Sequence, residues 1–139
     1  MEAEKLIEVI NERSKEYDTA LVTVDEFFEQ NSNRWSFAAN ACSEELDVHS
    51  FYKIFSRLSG LDQVQCIWIE IVDMDADGPY SDSVYIAADL QMEELKEYII
   101  EYMKEGFPDD IIEIPDEDEI REQISGLKEG CKLYFLWWD

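Results

Sequence analysis

Cysteine, histidine, glycine and positive charge are all scarce in this chain, and each scarcity removes a class of function. Three cysteines, Cys42, Cys66 and Cys131, are odd in number, widely spaced and without a CxxC pair. Neither a disulfide framework nor a structural zinc site is expected from them, and reduced thiols in a cytoplasm are the simplest reading. His49 is the single histidine, so no His-based metal cluster or paired-histidine catalysis exists within one chain. It would need a serine or cysteine beside it to act as a base, and no nucleophile-elbow motif occurs. Near the start of a helix its plainer role is exposed or capping. Five glycines make no phosphate-cradling loop. Only 11 Lys and Arg stand against 34 Asp and Glu, which leaves a net charge of −23, more than solubility needs. Nucleic-acid backbones and anionic membranes call for clustered cations, so neither is expected as a partner. The N-terminus has no basic flank leading into an apolar stretch, and no apolar run approaches membrane-spanning length. A cytoplasmic location is the expectation.

What is present is a core. Of the 139 residues, 46% are hydrophobic and 13% aromatic, enough for one globular domain over residues 1–139, with residues 1–18 forming an amphipathic helix able to sit at its periphery. Ala3, Leu6, Ile7, Ile10 and Tyr17 make the apolar stripe of that helix. Thr23 and Glu26 have capping-box spacing and introduce a short turn pinned by Phe27 and Phe28. The composition of residues 35–41 suggests a strand. From the cap Asp47, Val48, Phe51, Tyr52, Phe55 and Leu58 recur at helical spacing up to Gly60. Residues 64–72 form the clearest strand, apolar on both faces and so central, and pair antiparallel with residues 83–88 across a long polar loop. Asp89 caps a third helix bearing Leu95, Ile99 and Met103. A short helix follows Pro115, and Lys132 to Asp139 read as a closing strand. The expected fold is α+β: a mainly antiparallel sheet of about four strands with two to four helices on one face. The other face then carries Cys66, Trp68, Glu70 and Tyr85, joined by Leu133, Phe135 and Trp137 or by Tyr134, Leu136 and Trp138.

Three features invite a functional reading. Asp73-x-Asp75-x-Asp77-Gly78 matches the first half of a calcium loop, but the twelfth position is Val84 instead of a bidentate Glu and the flanks read as strands. Asp82 could add an oxygen; a solvated hairpin loop is the plainer reading. Asp116, Glu117, Asp118 and Glu119 sit in the most acidic stretch, Glu101 to Glu122, with ten acids against Lys104 and Arg121. That run is either a solvated helix start favoured by the dipole or a phosphate-mimicking surface for a basic partner. Trp68, Tyr85 and Trp138 are core payload or, where the sheet face is left open, a binding patch. Paired carboxylates for acid–base catalysis carry no specificity among 34 acids, and no catalytic residue is assigned.

Val22-Thr23-Val24-Asp25-Glu26-Phe27-Phe28-Glu29, Tyr80-Ser81-Asp82-Ser83-Val84-Tyr85 and Lys132-Leu133-Tyr134-Phe135-Leu136-Trp137-Trp138-Asp139 resemble, in order and spacing, a group of uncharacterised small acidic bacterial proteins. The resemblance spans residues 21–139 and implies a bacterial cytoplasmic origin, with no activity to transfer. The leading expectation is thus a non-enzymatic acidic protein that binds a basic protein partner, in its most concrete form an immunity-like protein neutralising a toxin or nuclease. The alternatives are a calcium-stabilised domain and an enzyme using clustered carboxylates. No cofactor other than calcium is suggested, and a homodimer would be one way to cover the aromatic face.

Overall fold

Thr23 and Glu26 cap one another as their spacing predicts, and this decides how the chain enters its first buried layer. The Thr23 N–H donates to Glu26 Oε1 at 2.8 Å and the Glu26 N–H to Thr23 Oγ1 at 3.1 Å. The pair joins strand β1 (Leu21–Thr23) directly to helix α2 (Val24–Glu29), whose Phe27 and Phe28 enter the core. The computed structural model describes residues 2–17, 19–29, 31, 35–44, 46–75, 78–124 and 126–139.

Helix α1 (Glu2–Ser14) is not peripheral: Leu6 and Ile10 are buried in the same core as α2. Arg13 fixes its end, donating to the Leu21 carbonyl at 2.9 Å and gripping both oxygens of Glu26 at 2.8 and 3.1 Å. In helix α3 (Val48–Ser59) Asp47 accepts from the His49 and Ser50 N–H groups at 3.0 and 3.1 Å, the expected cap. Helix α4 (Met92–Tyr102) is capped two residues later than Asp89. Gln91 holds that position, its N–H donating to Glu94 Oε1 at 3.0 Å, while the Asp89 N–H donates to the Gln63 carbonyl at 2.8 Å.

Strands β2 (Val64–Glu70), β5 (Ser83–Ala88), β6 (Asp110–Glu113) and β7 (Lys132–Trp137) join β1 in a five-stranded antiparallel sheet of order β1-β2-β5-β7-β6. The polar loop between β2 and β5 adds its own hairpin, β3 (Asp73–Asp75) with β4 (Gly78–Tyr80). The fold is α+β as expected, with five strands in the main sheet instead of about four. The two strands absent from the sequence reading, β1 and β6, are its short edges.

Residues 35–41 do not form a strand. Phe37 makes only an isolated parallel bridge to Ser81, Ala38 takes a left-handed φ of 45°, and Ala39–Ala41 turn as a 3-10 helix. What matters here is Phe37, whose ring packs against Phe27, Phe51, Phe55 and Trp138 at centroid distances of 4.8 to 6.2 Å. The segment contributes a buried ring, not a ladder.

Cross-strand alternation divides the sheet cleanly. Val22, Ile69, Val84 and Leu136 lie in one row beneath α1 to α4. On the opposite face Tyr85, Ala87 and Leu133 are covered by Ile114, Ile120, Ile124 and Leu127, from a stretch that includes helix α5 (Ile120–Gln123).

Candidate functional site

The covering stretch reaches from the β6 edge across this second face and buries Tyr85, Ala87 and Leu133, while Trp68, Glu70, Phe135 and Trp137 stay partly exposed. Trp68, Tyr85 and Phe135 stand in register on β2, β5 and β7, with the Tyr85 and Phe135 rings 4.9 Å apart. The next row reads Leu21, Glu70, Ser83, Trp137 and Asp110, with Leu21 and Ser83 buried and Glu70 and Trp137 partly exposed. Ser83 is the small residue between Glu70 and the half-buried Trp137. Asp82 precedes it, its Oδ1 accepting from Ser83 Oγ at 2.9 Å. Asp109 continues the rim and accepts through Oδ2 from the Asp139 N–H at 2.6 Å. The result is an aromatic surface bordered by carboxylates.

Glu70 is the unusual member. Burial pushes its carboxyl pKa up from 4.5, the neighbouring Asp82 pushes the same way, and only a hydrogen bond from Thr19 opposes them. Among the described residues no cation pairs with Glu70 or Asp82. Burial raises the Tyr85 hydroxyl too, with Glu70 and then Asp118 adding to it. The phenol therefore stays protonated. Cys66, beside Trp68 on this face, is likewise held as a thiol, chiefly by burial.

Two sets of residues that the sequence presented separately share this face. Asp116, Glu117, Asp118 and Glu119 are exposed on the covering stretch, next to the Tyr85 cluster. Asp118 Oδ1 accepts from the Ile120 N–H at 3.0 Å, the helix-start role, and Asp116 meets Arg121 at 3.4 Å while remaining almost wholly exposed. Arg121 in turn donates to the Pro115 and Ile114 carbonyls at 2.9 Å and fixes the turn that presents these acids.

Trp138 is placed differently from Trp68 and Tyr85. It is 1% exposed on the helix-covered side, stacked edge-on against Phe37, Phe51 and Phe55, and its Nε1 donates to the Gly106 carbonyl at 2.7 Å. Tyr85, at 9% exposed, anchors the opposite face, and Trp137 occupies the place there that the Trp doublet left undecided. Tyr17, Leu21, Trp68, Arg13 and Gln123 enclose a cleft of about 180 Å³ at the β1 end of that face, with the Arg13 guanidinium 5.9 Å above the Trp68 ring.

The calcium half-motif falls on β3 and β4. Asp73 accepts from the Met74 N–H at 2.9 Å and is exposed; Asp77 and the Asp75 side chain lie outside the described residues. Asp82 is turned to the Glu70 row instead. No group of three or more His, Cys, Asp or Glu among the described residues is placed to hold a metal ion. His49 is exposed on the first turn of α3.

An antiparallel sheet with four helices on one face and an acid-rimmed, partly covered aromatic surface on the other defines a two-layer α+β protein. Residues 1–136 match the model described as the Uncharacterized protein YfbO family, and the chain belongs to that family, first helix included. No curated protein and no solved structure matches it.

Proposed function

We propose that this is a non-enzymatic acidic protein that binds a basic protein partner through the second face of its sheet. The observation that carries the reading is Glu70. A partly buried carboxylate with a second carboxylate, Asp82, beside it and no cation to pair with among the described residues is costly in the free protein. A Lys or Arg brought in by a partner removes that cost. Trp68, Phe135 and Trp137, each partly exposed, supply the ring faces over which a guanidinium or ammonium is attracted, and Asp116 to Glu119 extend the negative field that steers it there. The immunity-like version has the basic cleft of a toxin or nuclease as the partner surface, occupied by these carboxylates in place of phosphates.

The test is capture of partners from the source cell's lysate on the immobilised protein at low salt, with stepwise salt elution. The expected result is one basic protein, lost from the Glu70→Gln/Asp82→Asn variant and weakened when Asp116 to Glu119 are changed to lysine. Equal retention by parent and variant would reject this face as the site.

A further inference from the structure

On the far side of the molecule the charge pattern reverses. Three of the 11 basic residues, Lys53, Arg57 and Lys104, line a groove of about 360 Å³ between α3 and the end of α4. Lys53 and Arg57 are one turn apart on the same strip of α3. Lys104 faces them from the segment after α4. No carboxylate pairs with any of the three among the described residues. Glu105, the acid in the lining, takes a hydrogen bond from Ser43 Oγ at 3.4 Å. In a chain carrying three acids for every base, mutual repulsion among gathered cations is the arrangement least expected of a merely solvated surface.

The floor and one wall are apolar. Leu46, Ile54 and Met103 form the floor, with Met103 only 2% exposed. Arg57 is already positioned: its guanidinium lies 3.9 Å from the centroid of the Tyr102 ring, and Tyr98 backs that ring at 6.0 Å. A guanidinium held over a ring face keeps N–H groups with which to grip an oxyanion through paired hydrogen bonds.

We infer that this groove binds a small organic anion, an apolar body bearing a phosphate or carboxylate group, with the head between Arg57, Lys53 and Lys104 and the body on Leu46, Ile54 and Met103. Its size is that of a small-molecule site, and its polarity pattern, a few convergent charges over an apolar floor, is that of one. The site is separate from the acidic face, so either can fail without the other.

Amide NMR titrations with phenyl phosphate, benzoate and phenol test it. Phenyl phosphate is expected to shift the amides of residues 46–57 and 102–106 saturably; benzoate does so too if a carboxylate head suffices, and phenol at the same concentration does not. Arg57→Gln is expected to weaken binding at least about ten-fold and Lys53→Gln or Lys104→Gln about three-fold each, whereas Lys15→Gln, in its exposed pair with Glu12, leaves it unchanged. Equal shifts with phenol, or shifts scattered over the surface, would overturn the proposal, and so would wild-type affinity in Arg57→Gln. The parent protein's own shift map decides the matter if a variant does not fold.

Discussion

Two glutamates in this chain respond to their surroundings in opposite senses, and one acid titration separates them. Burial raises Glu26 as well, but the Arg13 and Thr23 hydrogen bonds outweigh it and its carboxyl ends below 4.5. Its charge therefore stabilises the fold above pH 4.5, a contribution lost as the pH drops through the lowered folded value. Glu26→Gln is expected to cost about 1–2 kcal/mol in urea unfolding at pH 7, from the cap and the Arg13 grip together, with the gap to the parent closing in acid. Glu70 runs the other way. Its folded pKa lies above 4.5, so the charged form is penalised in the folded state, fully above the folded pKa and not at all below 4.5. Glu70→Gln should raise the melting temperature at pH 7, and the advantage should vanish as the pH falls to 4.5. A destabilised Glu70→Gln protein would mean that its carboxylate is satisfied within the chain, and would remove the main support for the acidic face.

Among the elements, the segment between α4 and β6 depends on a single backbone choice. Gly106 has φ +69°, a Cβ there would run into Leu46 Cδ2, and its carbonyl receives Trp138 Nε1. Gly106→Ala is expected to cost about 1–3 kcal/mol by denaturant unfolding, through left-handed strain and crowding of Leu46 together. Element length also decides what a sequence can convey. α3, α4, β2, β5 and β7 were legible because each is long enough to show its period, and the β2 alternation placed Trp68 and Tyr85 together correctly. β1 and β6 have three and four residues, too few for alternation to register. The Trp137–Trp138 doublet could not reveal its parity, because both residues suit either face and the choice rests on the β5 register. Nor could the covering of the second face by Ile114 to Leu127 be read, since those apolar residues follow no single period. Residues 35–41 misled because their small and aromatic residues suit a strand, whereas Phe37 is held by packing and Ala38 turns the chain.

For the whole molecule the dominant quantity is −23 charges on 139 residues. Self-repulsion opposes folding while it attracts a basic partner, so added salt should act on the two in opposite directions. Raising sodium chloride from about 10 to about 150 mM shortens the screening length from roughly 30 to 8 Å. The melting temperature is expected to rise over that interval and partner affinity to fall. A melting temperature that does not move would mean that the acids are spaced widely enough to ignore one another.

The strand order has a consequence for synthesis. β7 lies between β5 and β6 yet follows both in the chain, so β6 has no neighbour in the sheet until β7 arrives. During translation the β5 edge, with all six of its residues destined for burial, must wait unpaired while some forty further residues emerge from the ribosome. A nascent chain halted before residue 132 should thus be cut readily by protease across β5 and β6 and bind holding chaperones, and release of β7 should end both together.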